Sequence, residues 1–343
     1  LADDKVIAVP KATLAGVDID AQASIGFGTQ GVNNVVVDHL AVGRSDVQGS
    51  LAIGEDGRWT ITAQGKSLDA SALLKEIDRR PDQAEPPPFT IDARLDRLIL
   101  GPARKASNVT ASLASDGQHW TEAAIVLGLG DKASATVNFG GALGERQFKL
   151  TTDDFGALLS LADVYDNVQG GNFSLTGAAE DRNGTRMLVA DATGSDYRVV
   201  GAPALARLLS IASLSGAGAL LSGQGIPFNR LAGQVIFSGD LIGLNNLRAY
   251  GGALGINASG NVDRVKEQIS ILGTLVPAYT LNSVLGNIPV LGDLLVGGEG
   301  QGIFAANFRL YGPREDPKVS VNPLSTLAPG ILRNLFFFSP GGP

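Results

Sequence analysis

The feature of this sequence that most constrains its fold is a strict alternation of apolar and polar residues. In the segment 89–96, apolar side chains occupy every odd position and polar side chains occupy every even one. Because successive side chains of a β-strand point to opposite faces of a sheet, this segment predicts a strand with one apolar and one solvated face. The same period of two returns at 59–63, 148–150, 172–176, 254–259 and 304–310.

Turn signals separate these predicted strands. Asp56-Gly57, Asp116-Gly117 and Asn183-Gly184 are dipeptides typical of tight hairpins. Strands joined by hairpins run antiparallel, and a single solvated face is common in antiparallel sheets. The sequence therefore predicts a mainly β chain built as a long antiparallel meander.

Helix signals are few and short. Asp69 and Asp154 each begin a D-x-x-A-L-L motif, in which the Asp carboxylate can accept hydrogen bonds from the free N–H groups of the first turn. Pro203 precedes a third apolar segment, 204–214. We predict a short helix at each of these three places.

Composition excludes several classes of function. The chain has 343 residues, a formal net charge of −7, two histidines and no cysteine. Without cysteine, the chain cannot form disulfide frameworks, thiolate zinc sites or cysteine nucleophiles. A negative chain is a poor general binder of nucleic acid phosphates, so we expect no nucleic acid partner.

Charge is distributed unevenly along the chain. Residues 1–199 carry a net charge of −9 and residues 200–343 a net charge of +2. We therefore predict a body of repeating β-strands at 1–200 and a C-terminal region of strands and apolar helices at 201–343. The acidic, Pro-rich stretch 82–88 is predicted to be a linker or an edge loop.

The sequence offers no catalytic or metal-binding constellation. His39 lies in a strand-like run and His119 follows a hairpin turn, and neither has metal-ligand spacing to another histidine. The Gly-rich stretch 297–302 precedes a predicted strand, so it lacks the helix N-terminus that would hold a phosphate. We expect a protein that is not an enzyme and that uses no cofactor and no metal.

The apolar faces of the strands can be covered in two ways. A second sheet packed against them would give an ordinary core. A sheet that curls on itself would instead enclose a groove, and acyl chains that fill it would remove apolar surface from water at about 25 cal/mol per Å². The period of two is the same in both cases. Seventeen residues are candidates either for the lining of such a groove or for ordinary core positions: Phe89, Ile91, Ala93, Leu95, Phe148, Leu150, Phe173, Leu175, Val235, Phe237, Leu254, Ile256, Ile269, Ile271, Phe304, Phe308 and Leu310.

The C-terminal part of the chain resembles a known family. The resemblance rests on seven runs in a particular order and spacing. These runs are APALARLLSIASL at 202–214, GQGIPF at 223–228, LGTLVPAY at 272–279, NIPVLGDLL at 287–295, YGP at 311–313, VNPLS at 321–325 and APGILR at 328–333. Together they resemble the C-terminal region of the AsmA-like superfamily, in particular its large YhdP-type members, over about residues 195–338.

The resemblance implies a fold and a function. It implies a long β-sheet folded into an elongated, taco-like groove with an apolar lining, and a few short helices that mostly cap the C-terminal part. It implies a periplasmic part of an inner-membrane-anchored protein of a Gram-negative bacterium, along which phospholipids move towards the outer membrane. It brings no catalytic residues. We expect this chain to be a C-terminal portion of such a bridge-like lipid transport protein.

Two further expectations concern the C-terminal end. The segments 280–296 and 323–338 are predicted to form apolar or amphipathic helices. The tail Leu335, Phe336, Phe337 and Phe338 is predicted either to plug the end of the groove or to touch the outer membrane or an envelope protein.

A different class of function also fits the sequence. The chain could be an envelope scaffold or assembly factor that binds outer-membrane proteins by pairing with a free strand edge.

Overall fold

The computed structural model describes residues 7–29, 31–72, 86–142, 144–182, 185–211, 223–277 and 306–322. Within these ranges the chain forms nineteen strands and two helices. The prediction of a mainly β chain, built as a long antiparallel meander with few short helices, is confirmed. The chain divides into two compact units, Leu1–Asp166 and Asn167–Pro343. The change of charge near Gly201 therefore falls inside the second unit.

The first unit contains ten strands and one helix in its described residues. Each strand pairs with the strand that follows it in the chain. The elements are β1 (Ala8–Ala15), β2 (Ile19–Gly28), β3 (Gly31–Val42), β4 (Ser45–Ile53), β5 (Trp59–Asp69), β6 (Phe89–Ile99), β7 (Lys105–Ser115), β8 (Trp120–Leu129), β9 (Ala133–Gly140), β10 (Gln147–Thr152) and α1 (Phe155–Leu161).

One pair of strands departs from the predicted antiparallel order. β5 and β6 run parallel, with Trp59 opposite Phe89. Parallel neighbours need a crossover connection of roughly a dozen residues or more, and the segment 70–88 is long enough to provide it. This connection includes the Pro-rich stretch 82–88, of which the structure describes 86–88. It also holds the first predicted helix, of which residues 71 and 72 are helical and 73–74 lie outside the described residues.

α1 begins where the D-x-x-A-L-L motif predicts. The Asp154 carboxylate accepts a hydrogen bond from the Ala157 N–H at 2.9 Å, which caps the first turn. Leu161 of α1 packs with Leu95, Val109 and Leu129 from β6, β7 and β8. The helix therefore covers one end of the sheet in the first unit.

The second unit contains nine strands and one helix in its described residues. β13 pairs with both β11 and β12 on one side and with β14 on the other, and the pairing is then sequential to β19. The elements are β11 (Val168–Gln169), β12 (Asn172–Arg182), β13 (Thr185–Val199), α2 (Pro203–Ile211), β14 (Ile226–Ser238), β15 (Leu241–Tyr250), β16 (Leu254–Asp263), β17 (Gln268–Pro277), β18 (Ala306–Pro313) and β19 (Lys318–Asn322).

α2 lies close to both β13 and β19 of the second unit, although its nine residues span only about 13.5 Å. It begins soon after β13, with Pro203 as its first residue, and it contacts β19. A flat sheet would separate β13 from β19 by six strand spacings, or about 29 Å. Arg207, in the middle of α2, donates hydrogen bonds to the Asp316 carboxylate at 2.9 Å and to the Pro317 carbonyl at 3.3 Å, both in the turn before β19.

Some predictions fall on parts of the chain outside this description. They concern the helices at 280–296 and 323–338, the Gly-rich stretch 297–302, the dipeptide Asn183-Gly184 and the end of the third helix at 212–214. The other two hairpins are present. Gly57 and Gly117, with φ of 77° and 98°, lie in the turns between β4 and β5 and between β7 and β8.

Candidate functional site

One face of the first unit carries an apolar row that crosses all ten strands. From β1 to β10, each member of the row lies directly opposite the member on the next strand, and every member is apolar. We call it the large row. It consists of Val9, Ile25, Val35, Leu51, Ile61, Ile91, Leu113, Ala123, Phe139 and Phe148.

A second row lies two residues along each strand from the first, or three on β1 where a β-bulge intervenes, and also crosses all ten strands. From β1 to β7 its side chains are small, with Val37 as the exception. A Cβ at Gly49 would collide with the carbonyl oxygen of Thr62, so the close approach of β4 and β5 requires glycine there. This small row consists of Ala12, Ala23, Val37, Gly49, Ala63, Ala93, Ala111, Ile125, Val137 and Leu150.

The side chains of the two rows differ in size, so the surface of the apolar face is uneven. Beyond the small row lies a third row, in which Leu40, Val47, Leu95 and Val109 are bulky and Ala21 and Gly65 are small. Rows two residues apart along a strand are separated by about 6.7 Å, so the large row and the third row stand about 13 Å apart. From β1 to β7 the small row between them forms a shallow trough that runs across the strands.

The opposite face of the first unit is polar. Ser50, Thr62, Asp92 and Ser112 oppose one another on β4 to β7. The Ser50 and Thr62 hydroxyls form a hydrogen bond, with Oγ and Oγ1 2.8 Å apart. The sheet is therefore amphipathic over β4 to β7, as the period of two predicts.

The apolar face is open over most of its area. Every residue of the large row is partly exposed, so no part of the chain that the structure describes covers the row completely. The buried residues of this unit are concentrated at the end that α1 covers, where Leu95, Ala106, Val109 and Leu129 form the core with Leu161. A face that is apolar, continuous and open can accept an apolar ligand.

The second unit repeats this arrangement. An apolar row crosses eight strands, from β12 to β19. It consists of Gly177, Ala190, Val235, Leu244, Gly260, Ile271, Leu310 and Val319. A second row, four residues from the first along most strands, crosses seven strands and consists of Phe173, Gly194, Leu231, Ala249, Ile256, Leu275 and Ala306. Gly194, Leu275 and Ala306 of this row are buried, so it is less open than the large row of the first unit.

The second unit also has a tightly packed core. Leu209 of α2, Ile226, Leu254 and Leu275 are fully buried. Phe228 stacks on Tyr197 with ring centroids 5.4 Å apart, and burial raises the pKa of the Tyr197 phenol. These residues hold the unit together and offer no surface to a ligand.

The structure places sixteen of the seventeen predicted lining residues on the apolar face of their own unit. Phe304 lies outside the described residues, as do Leu335, Phe336, Phe337 and Phe338 of the tail. Four of the sixteen, Leu95, Leu175, Leu254 and Phe308, are buried and occupy ordinary core positions. The twelve that are partly exposed are Phe89, Ile91, Ala93, Phe148, Leu150, Phe173, Val235, Phe237, Ile256, Ile269, Ile271 and Leu310.

The polar residues singled out in the sequence do not form a chemical site. His39 lies on β3 with its ring nitrogens 4.0 Å from Asp20 and from Asp46, and all three side chains are exposed. His119 lies in the turn after β7 with Nδ1 3.7 Å from Asp116. Among the residues that the structure describes, no group of acidic residues and histidines is placed to hold a metal ion.

In the described ranges, none of the helices is both long and apolar enough to span a membrane. The chain matches no protein-family model, no curated protein and no solved structure.

Proposed function

We propose that this chain binds the acyl chains of phospholipids on its open apolar faces and lets them move along those faces. The observation that supports the proposal is the unbroken register of apolar rows across ten strands in one unit and eight in the other. A full cover of protein would make these rows a core, whereas all residues of the large row, and all of the eight-strand row except the buried Ala190, are partly exposed and leave apolar surface for a ligand.

The proposed mechanism is passive. An acyl chain that lies in the trough of the small row removes its methylenes from water, at about 0.8 kcal/mol for each one fully buried. Successive positions along the row are chemically alike, so the chain can slide without leaving the apolar surface. A uniform face does not favour one direction, so the direction of movement must come from the membranes or proteins at its ends.

The proposed setting is the periplasm of a Gram-negative bacterium, with phospholipid passing from the inner towards the outer membrane. Two features support this setting, namely the likeness of residues 195–338 to AsmA-like proteins and the amphipathic sheets. No bond is made or broken in this proposal, and it requires no cofactor.

A second candidate function uses the edge of the sheet. β1 is paired with β2 on one side, and its Leu14 is 57% exposed. A client protein could add a strand to β1 and bind through main-chain hydrogen bonds. Pro10 and Lys11 lie within β1, however, and both residue types discourage pairing at strand edges. The apolar face therefore supports lipid binding better than the edge supports scaffolding.

Lipid extraction followed by mass spectrometry separates the two candidates. We expect the full chain, purified from a Gram-negative host without detergent, to carry phospholipid in at least a roughly equimolar amount, because its open face is costly to leave in water. Purified chain that carries a bound polypeptide and no lipid would support the scaffold instead. Chain free of both lipid and polypeptide would contradict both candidates.

A further inference from the structure

The first unit has an aromatic cluster at the end of its apolar face that lies away from α1. Trp59 and Phe89 are directly opposed on β5 and β6. The Phe89 ring meets the Trp120 ring edge to face, with centroids 5.5 Å apart and an interplanar angle of 85°. Trp59 is 38% exposed and Trp120 is 51% exposed. These three residues, called the aromatic cluster below, form a partly open apolar surface.

A buried arginine adjoins this cluster. Arg146 lies two residues before Phe148 of the large row and is only 7% exposed. Its Nη1 donates a hydrogen bond to the Trp120 carbonyl at 2.8 Å, while its Nε is buried and has no hydrogen-bond partner. In the part of the chain that the structure describes, no carboxylate forms an ion pair with this guanidinium.

The charge of Arg146 is therefore poorly compensated. A guanidinium stays protonated at any pH that a protein tolerates, and a buried charge without a counter-charge is costly. The carboxylate that interacts with it electrostatically is that of Asp116, whose pKa is lowered first by the backbone N–H groups of His119 and Gln118 and last by the charge of Arg146. Asp116 is thus already engaged by its own hairpin turn.

We propose that Arg146 binds the anionic head of an amphiphile, a phosphate or a carboxylate, whose chain lies on the aromatic cluster and the apolar face beyond it. An anion supplies the missing counter-charge, and an apolar tail covers the exposed rings, so one amphiphilic molecule meets both needs. This inference rests on the proposed function and assigns its head-group site to one end of the first unit.

The chain provides its own probe for this site. It contains two tryptophans, Trp59 and Trp120, and both belong to the aromatic cluster. Intrinsic fluorescence of the full chain therefore reports on this end of the sheet. Three compounds can be titrated below their micelle-forming concentrations: dodecyl phosphate, dodecyl maltoside with the same tail and a neutral head, and inorganic phosphate with no tail.

We expect dodecyl phosphate to shift the tryptophan emission to the blue and to bind about 10- to 100-fold more tightly than dodecyl maltoside, because charge-assisted hydrogen bonds to Arg146 hold its head. Arg146→Met should abolish this preference, so that this variant binds dodecyl phosphate no more tightly than dodecyl maltoside. Lys149→Met is the matched control, because Lys149 is exposed, lies on the polar face of β10 and should not contribute.

Each other outcome has a distinct meaning. Equal binding of the two amphiphiles to the unaltered chain would overturn the head-group site and leave the proposed function standing. Equal affinity for inorganic phosphate and dodecyl phosphate would overturn the amphiphile and leave a free-anion site. Absence of any response to either amphiphile would contradict the proposed function at this unit. If Arg146→Met does not fold, the head preference of the unaltered chain decides the matter.

Discussion

Ile91→Glu should remove most of the phospholipid that co-purifies with the chain. Ile91 is at the centre of the large row, opposed by Ile61 on β5 and Leu113 on β7. A carboxylate there would have to be buried beneath an acyl chain with no partner, which costs several kcal/mol. We expect at least a tenfold fall, about 1.4 kcal/mol or more, in lipid bound per chain, measured by extraction and mass spectrometry.

The matched control for this substitution is Thr90→Glu. Thr90 is the preceding residue of the same strand, and its side chain lies on the polar face opposite Thr60 and Ala114. Its new carboxylate stays in water, so the lipid content should match that of the unaltered chain. Equal loss of lipid in both variants, with both folded by circular dichroism, would mean that the apolar face does not hold the lipid.

Leu209→Ala should destabilise the second unit by about 2 to 5 kcal/mol, which is the cost of deleting a fully buried leucine side chain. Leu209 lies in α2 and has no exposed surface. Denaturant unfolding followed by circular dichroism measures the effect as a lower midpoint with an unchanged slope.

A leucine on the open face provides the comparison. Leu14 of β1 lies on the apolar face opposite Ala21 and is 57% exposed. Leu14→Ala should therefore cost less than about 1 kcal/mol, because little of its surface is removed from water on folding. A similar loss of stability for Leu14→Ala and Leu209→Ala would contradict the distinction between an open face and a closed core.

The regular strands could be predicted from the sequence because their alternation is unbroken. β6 alternates strictly over 89–96 and β10 over 147–150, and Phe89, Ile91, Phe148 and Leu150 lie on the predicted face for that reason. The N-cap of α1 was equally predictable, since Asp154 acts through its immediate neighbours.

The rest of the apolar rows could not be read from alternation because β-bulges interrupt it. β3 carries Val35, Val36 and Val37 in succession, and its register against β4 shifts between Val37 and Leu40. A bulge adds one residue to one strand and so moves the apolar positions out of phase. Registers that shift in this way hid much of the large and small rows on β1 to β4, β7 and β8.

The distinction between core and open face depends on tertiary packing. Leu95 and Ile91 occupy equivalent positions in one alternating segment, yet Leu95 is buried beneath α1 and Ile91 is partly exposed. The position of α1 over the ends of β6 to β9 decides this, and no local pattern encodes it. The buried Arg146 was missed for the same reason, because its contact with Trp120 joins residues 26 positions apart.

Site-specific photocrosslinking in a living Gram-negative host tests the central claim most directly. A photoreactive residue at Leu113 faces the apolar side of β7, and the same residue at Ser112 faces the polar side. We expect phospholipid to be crosslinked at Leu113 and not at Ser112. Crosslinks at Leu113 that lead only to protein, or equal lipid labelling at the two positions, would contradict an open apolar face that carries lipid.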